Sequence, residues 1–164
     1  MNIYICIRIK NVIITILLKT VKLKALEKLR EFEIKPSMQR IAIMEFLIDN
    51  RIHPSVEDIY NGLSDSMPTL SKTTVYNTLK LFEEHRAIIS LTIDEKNVCY
   101  DIDTKPHAHF ICKNCSHVED FDIPVMSEKD NTKMAGNLIT EAHFYYKGIC
   151  KHCLQTQKVI INNN

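Results

Sequence analysis

Residues 71–80 read Ser-Lys-Thr-Thr-Val-Tyr-Asn-Thr-Leu-Lys, and this stretch decides how the N-terminal half of the chain is interpreted. Ser71 is a residue type that caps helices. Apolar Val75, Leu79 and Phe82 then recur at helical spacing. The opposite face carries polar side chains that can donate to phosphates, pair with base edges or contact a thymine methyl group. They are Lys72, Thr73, Tyr76, Asn77 and Lys80.

The segments on either side of this helix complete a recognisable unit. Apolar spacing and capping residues predict three earlier helices. They begin near Val21, Ser37 and Pro54. Two predicted strands, Ile88–Ile93 and Val98–Ile102, follow the helix and are joined by a polar turn. Helices followed by a two-stranded wing indicate a winged helix-turn-helix with the fourth helix as the DNA reader. The alternative is a solvated amphipathic helix that packs on a hairpin.

Two cysteine pairs, Cys112/Cys115 and Cys150/Cys153, have the spacing C-x-x-C and are separated by 34 residues. Two intervening residues let both sulfurs of a pair face one centre. Two such turns therefore supply the four thiolates of a tetrahedral Zn²⁺ site. Because protein ligands would fill all four positions, this site is predicted to be structural. The alternative is a pair of disulfides, but zinc-bound thiols fit a reducing cytoplasm better.

Harder metal ligands lie next to the first cysteine pair. His107 and His109 are two residues apart, so both imidazoles project from one face of an extended segment. Asp101 precedes them, and Asp120 lies on the next predicted strand. Histidine together with carboxylate suits divalent iron, manganese or zinc. The sequence therefore predicts a second metal site, against the alternative of surface histidines and unrelated solvated carboxylates.

The whole chain is predicted to be α+β, with a winged helix-turn-helix followed by a small α/β domain. In the second domain, strands are expected over residues 109–112, 117–121 and 139–146, with a short helix within 127–137. The predicted domains are an extension without an assigned role at residues 1–20, the winged helix at 21–102, a linker at 103–106, the metal-binding domain at 107–160 and a frayed tail at 161–164.

Several classes of protein are disfavoured. Three glycines and the absence of a glycine-rich phosphate motif argue against nucleotide binding through such a loop. The longest uncharged run in the apolar first 20 residues, Asn11–Leu18, is eight residues, whereas about 20 are needed to cross a bilayer. A zinc hydrolase or deaminase needs an open metal position and a neighbouring general base. The four committed cysteines and the His-Ala-His sequence provide neither, so no enzyme is expected. A zinc-ribbon interaction module that does not bind DNA is disfavoured by the polar face of the fourth helix.

Residues 21–160 resemble the ferric uptake regulator (Fur) superfamily of bacterial metal-dependent repressors. The segments that carry the resemblance are His53–Tyr60, Ser71–Leu79, His107–Cys112 and both C-x-x-C pairs. The resemblance is greatest to the peroxide-sensing (PerR) branch, whose five regulatory ligands correspond to His53, Asp101, His107, His109 and Asp120. Asp120 and Asn77 support this branch, since iron-uptake regulators usually carry glutamate and arginine at those positions.

The resemblance implies a cytoplasmic homodimer, paired through its C-terminal domains, that represses transcription by binding double-stranded operator DNA. It implies structural Zn²⁺ and regulatory Fe²⁺ or Mn²⁺, no membrane, and no small-molecule substrate besides hydrogen peroxide. Peroxide would react with the ferrous site and oxidise His53 or His107, so that metal and DNA are released. Control of iron or zinc uptake is the alternative within the superfamily.

Overall fold

The computed structural model describes residues 19–94, 97–122, 133–134, 136–138 and 142–162, so most of the extension predicted at residues 1–20 lies outside it. The chain divides into an N-terminal unit, residues 1–104, and a C-terminal unit, residues 105–164. This division falls inside the segment predicted as a linker. Within the described residues, no helix has the length and apolar character needed to cross a membrane.

The N-terminal unit consists of four helices and a hairpin. They are α1 (residues 19–31), α2 (Met38–Asp49), α3 (Val56–Leu63), α4 (Lys72–Glu84), β1 (Ile89–Asp94) and β2 (Asn97–Asp101). A serine side chain accepts a hydrogen bond from the backbone N–H three residues later at the start of α2, α3 and α4. At α3 the capping is reciprocal, because the Asp58 carboxylate accepts a hydrogen bond from the backbone N–H of Ser55. These serines fix where the helices begin.

The core of the N-terminal unit forms around α4. Val75, Leu79 and Phe82 are fully buried, as their spacing predicts. They belong to one apolar cluster with residues of α1, α2, α3 and the hairpin. On α1, Ala25 and Leu29 are fully buried, whereas Leu23 is 55% exposed. The four-residue step from Ala25 to Leu29 follows the helical period.

Replacing Phe82 with alanine is expected to lower the free energy of unfolding by about 3–5 kcal/mol, because Phe82 is the largest fully buried side chain among the residues that the structure describes. Chemical denaturation of the variant would measure this loss. Leu23→Ala is the matched control, since a change at an exposed helical position alters stability by about 0.5 kcal/mol or less. Equal losses in both variants would contradict the assignment of Phe82 to the core.

The hairpin joins the helices through the residues before α3. β1 and β2 pair antiparallel, with Ile89 opposite Asp101 and an irregularity in register between Leu91 and Asp94. Ser55 forms an isolated bridge with Cys99. The backbone N–H of Tyr100 also donates a 3.0 Å hydrogen bond to the Pro54 carbonyl. These contacts place the turn at residue 53 beside the end of β2.

The C-terminal unit is built on a small mixed sheet. Its elements are β3 (Ala108–Cys112), β4 (Val118–Phe121), β5 (Lys133–Met134), β6 (Asn137–Leu138), β7 (Phe144–Gly148) and α5 (Lys151–Asn162). The strand order is β4-β3-β7, with β3 antiparallel to β4 and parallel to β7, while β5 and β6 form a separate hairpin.

Three predictions for this unit need correction. A helix within 127–137 is wrong wherever the structure describes that segment, because residues 133–134 and 137 lie in strands. The last strand begins at Phe144 instead of residue 139, and residues 139–141 lie outside the described part. The helix α5 was missed and includes residues 161–162 of the predicted tail. The helix begins between Cys150 and Cys153, a pair whose spacing had predicted only a tight turn.

Candidate metal centres and nucleic-acid interface

The C-terminal unit brings the four predicted zinc ligands together. Cys112 ends β3, Cys115 follows in the next turn, and Cys150 and Cys153 flank the start of α5. Their four sulfurs lie within 4.8 Å of one another, and two of the six pairs are 3.9 Å apart (Cys112 and Cys153) and 3.7 Å apart (Cys115 and Cys150). Sulfurs at the corners of a tetrahedron, each about 2.3 Å from its centre, are about 3.8 Å apart. The arrangement therefore fits Zn²⁺, and these distances are far above the roughly 2.0 Å of a disulfide.

Backbone hydrogen bonds hold the two cysteine turns. The Ser116 N–H donates to the Cys112 carbonyl over 2.9 Å, and the left-handed backbone of Ser116, with a φ of 58°, tightens that turn. The Lys113 N–H donates to the Gly148 carbonyl over 2.7 Å, which links the first turn to the end of β7. The sulfur positions are thus set by the sheet and the helix start together.

Other backbone N–H groups of the two cysteine turns polarise the thiols. The backbone N–H of Cys150, helped by that of Asn114, lowers the pKa of the Cys112 thiol to about 6, despite the opposing effect of burial. For Cys115, the backbone of His117 favours the thiolate, but hydrogen bonds with the Cys112 and Cys153 side chains raise its pKa to about 12. The Cys112 thiol therefore ionises more readily than the Cys115 thiol, and a divalent cation would offset the repulsion among four thiolates.

The N-terminal unit contains two of the predicted regulatory ligands, His53 and Asp101, which we call the N-terminal ligand pair. Both residues are buried, and His53 Nε2 lies 3.4 Å from Asp101 Oδ2. The Asp103 N–H donates to Asp101 Oδ1 over 2.8 Å, which orients the carboxylate. His53 has a φ of 52°, a left-handed conformation uncommon outside glycine, so the backbone accepts strain to aim this imidazole inward.

The C-terminal unit contains the other three, His107, His109 and Asp120, which we call the C-terminal ligand triad. Asp120 lies opposite His109 across the β3–β4 pairing. Its Oδ1 is 3.7 Å from His107 Nε2 and 3.8 Å from His109 Nε2. The Lys105 carbonyl is 2.7 Å from His107 Nδ1 and can accept a hydrogen bond from an Nδ1–H. In that tautomer of the neutral ring, Nε2 keeps a lone pair for a metal. Both groups present the nitrogen and oxygen ligands expected for divalent iron or manganese.

Tyr145, which was not predicted from the sequence, adjoins the triad, and His143 adjoins Tyr145. Tyr145 lies opposite His109 in the parallel β3–β7 pairing, with ring centroids 5.9 Å apart. The Tyr145 hydroxyl lies 3.2 Å from Nδ1 of His143, and the rings of these two residues are stacked. The contact between Tyr145 and His109 results from the parallel pairing of β3 with β7, and no short sequence motif predicts that pairing.

The residues predicted to read DNA lie on the outer face of α4. Lys72, Thr73, Tyr76, Asn77 and Lys80 are all exposed. Beside them lies a groove of about 370 Å³, lined from α4 by Thr74, Asn77, Thr78 and Leu81. Its other side includes Lys35, which precedes α2, and Arg40, which lies in the first turn of α2. Neither Lys35 nor Arg40 was predicted from the sequence. Two cations and several amide and hydroxyl groups give this surface the chemistry that contacts a phosphate backbone.

Lys72 has partners within the protein. Its Nζ lies 2.6 Å from Oε2 of Glu57 and donates to Oε1 over 2.8 Å. The same ammonium stands 5.4 Å from the centroid of the Tyr60 ring. Glu57 was not singled out from the sequence, because residues of separate helices 15 positions apart give no periodic signal.

The fold and these sites define a class, that of metal-responsive winged-helix regulators. A sequence model of the Ferric uptake regulator family matches residues 31–147. The chain therefore belongs to the Ferric uptake regulator family, whose members are transcriptional regulators rather than enzymes.

Individual relatives agree with this membership. The peroxide operon regulator of Bacillus subtilis (strain 168) is 33% identical over 132 residues, which cover 79% of this chain and 91% of that protein. The peroxide-responsive repressor PerR of Staphylococcus aureus (strain Mu50) is 31% identical over 132 residues, covering 79% and 89%. A structure of the ferric uptake regulator from Francisella tularensis with iron superposes with a TM-score of 0.62 at 25% identity, covering 74% of this chain and 95% of that one.

Proposed function

We propose that this protein is a metal-dependent DNA-binding repressor that senses hydrogen peroxide through oxidation of its own histidine ligands. The observation that carries the proposal is the incomplete ligand set in each unit. The N-terminal ligand pair offers one imidazole and one carboxylate, and the C-terminal ligand triad offers two imidazoles and one carboxylate. One Fe²⁺ or Mn²⁺ ion bound by all five would satisfy both groups. The names of the Bacillus and Staphylococcus relatives support peroxide as the signal.

In this proposal the four-cysteine cluster holds structural Zn²⁺ and supports pairing of two chains. A closed thiolate site contributes its binding energy to folding. The C-terminal unit also exposes large apolar side chains, and Leu138 and Tyr146 are 70% and 57% exposed. Such surface is suited to contact with a second copy of the chain. A two-fold dimer would place its two reader helices on successive turns of operator DNA in the cytoplasm.

The regulatory ion would couple metal binding to DNA binding. One ion held by ligands from both units would limit the angles that the two units adopt. A limited set of angles favours the arrangement in which both reader helices fit the operator, because less conformational freedom is lost on binding. By linkage, operator DNA would strengthen metal binding by the same factor.

Peroxide would end this coupling by changing the ligands. Ferrous iron supplies the reduction of hydrogen peroxide at the site. As the family resemblance implies, one oxygen atom of the peroxide would be added to the ring of His53 or His107 and the other would leave as water, and a ring that gains oxygen binds metal poorly. Loss of either imidazole leaves its unit with fewer ligands, so the metal dissociates and the operator is released. Manganese does not support this reaction, and the manganese form is expected to stay on DNA.

Metal analysis combined with operator binding tests the proposal. After peroxide treatment, the iron form is expected to lose operator affinity and to show a one-oxygen mass gain in a peptide that contains His53 or His107. The manganese form should keep both its mass and its affinity. Release of DNA with unmodified peptides would refute the peroxide mechanism. Operator binding that depends on metal but is unchanged by peroxide would instead support a regulator of iron or zinc uptake.

A further inference from the structure

We propose that Tyr145 is a further site of peroxide-dependent modification, at which oxygen is added to the phenol ring in competition with the histidine ligands. The inference rests on the proposed peroxide-sensing function and deepens it. It names a side chain that determines how much peroxide is needed before metal and DNA are released. The oxidant is hydrogen peroxide at the ferrous site, and the expected product is a dihydroxyphenylalanine at position 145.

The register of the sheet places Tyr145 on the same face as the C-terminal ligand triad. Asp120 lies opposite His109 in the antiparallel β3–β4 pairing, and Tyr145 lies opposite His109 in the parallel β3–β7 pairing. Side chains of directly paired residues project from one face of a sheet, so the carboxylate, the imidazole and the phenol form a row across three strands. The ring centroids of His109 and Tyr145 are 5.9 Å apart. The phenol is therefore the next side chain in this row after two candidate metal ligands.

The contact with His143 makes the phenol ring more reactive. The Tyr145 hydroxyl lies 3.2 Å from His143 Nδ1, and the two rings are nearly parallel, with an interplanar angle of 9°. In the tautomer whose Nδ1 carries no proton, the imidazole accepts a hydrogen bond from the hydroxyl. That hydrogen bond raises the electron density of the phenol ring, and an electron-rich ring is attacked more readily by an oxidant.

The proposed step balances with hydrogen peroxide as the only reactant consumed. One C–H bond of the Tyr145 ring and the O–O bond of the peroxide break. A C–OH bond forms on the ring, and the second oxygen leaves as water together with the displaced ring proton. The ring loses two electrons and the peroxide gains two. Because the histidine ligands are unchanged, reaction at Tyr145 consumes one peroxide molecule without releasing the operator.

Peptide mass spectrometry of the full-length, iron-loaded protein at limiting doses of peroxide tests the modification. Fragment ions are expected to show a one-oxygen gain at Tyr145 over the same doses that oxidise histidine. Tyr146 is the internal comparison, because it projects from the other face of β7 and is 57% exposed. Tyr76, which is 52% exposed on α4, reports oxidants that diffuse through solvent. Neither should gain oxygen, and the manganese form should show no gain at Tyr145.

Tyr145→Phe tests the competition with histidine. The variant keeps an aromatic ring beside His109 but lacks the hydroxyl that activates the ring. Proximity decides which ring captures the oxygen, so with equal shares in the wild-type protein the yield of oxidised histidine per iron-loaded chain should rise roughly two-fold. Operator should then be released at a lower dose of peroxide. Tyr145→Val, which suits a strand and has no ring, should change the yield in the same direction.

Tyr146→Phe is the matched control, since it makes the same change on the opposite face of β7, and its histidine yield should equal that of the wild-type protein. Equal oxygen gain at Tyr145 and Tyr76 would overturn the inference, as would an unchanged histidine yield in both position-145 variants. In either case oxidised histidine would still support the proposed function. If neither histidine nor tyrosine gains oxygen in the wild-type iron form, the proposed function itself fails.

Discussion

Cys153→Ser is expected to abolish zinc binding and to unfold the C-terminal unit. Cys153 supplies one of four sulfurs that converge from two cysteine turns, and three ligands cannot close the tetrahedral site. Structural zinc sites of this kind contribute about 10–16 kcal/mol of apparent binding energy, more than the net stability of most domains. Zinc content should fall from about one per chain to near zero, and operator affinity should fall by at least about 100-fold as the unit that carries three of the five regulatory ligands unfolds.

Elemental analysis, circular dichroism and hydrogen exchange would measure this outcome, and the exchange data should place the loss in residues 105–164. Cys99→Ser is the control, because Cys99 lies in β2 of the N-terminal unit. That variant should keep its zinc. A Cys153→Ser protein with full zinc content and unchanged exchange would show that the cluster is not a zinc site.

His53→Ala is expected to lower the manganese-dependent operator affinity by roughly 100-fold, near the upper end of the usual range for coupling between two sites. The substitution removes the imidazole of the N-terminal ligand pair, so that Asp101 is the one member of the pair that can still bind the metal. An ion held by the C-terminal ligand triad would then be tied to the N-terminal unit by one ligand, and its effect on the reader helix would largely vanish. Binding titrations with and without Mn²⁺ would measure the coupling directly.

His85→Ala provides the comparison for this variant. His85 is an exposed histidine of the same unit, and its Nδ1 lies 2.8 Å from the Phe32 carbonyl, away from the candidate ligands. It should retain full metal dependence, and both variants should retain zinc. If His53→Ala binds operator as tightly as the wild-type protein in Mn²⁺, the proposed coupling through His53 is wrong.

Local chemistry made much of the fold predictable. Ser37 and Ser71 were predictable as helix caps, because a serine hydroxyl directly before an apolar helical pattern can accept a hydrogen bond from a backbone N–H of the first turn. The burial of Val75, Leu79 and Phe82 follows from the period of the helix alone. The cysteine cluster was equally predictable from the sequence, since C-x-x-C spacing restricts what each pair can bind.

Features that depend on tertiary pairing were not predictable in this way. Tyr145 reaches His109 only because β7 joins β3 in parallel, and Glu57 reaches Lys72 only because α3 packs against α4. Neither contact has a signature in the local sequence. The helix α5 was missed for another reason: the second cysteine pair suggested a turn, whereas a helix that begins inside the pair can also bring two sulfurs together.

The uneven pairing of β1 and β2 bears on how much the hairpin can vary between related proteins. The regular pairs run from Ile89 opposite Asp101 to Leu91 opposite Cys99, and the irregularity follows them. Added or lost residues beyond Leu91 would be absorbed there, leaving the Asp101 carboxylate in place. A single deletion between Ile89 and Leu91 would instead turn alternate side chains to the other face of the ribbon. Length changes at the tip should therefore be tolerated in evolution, whereas changes at the base should cost the protein its response to metal.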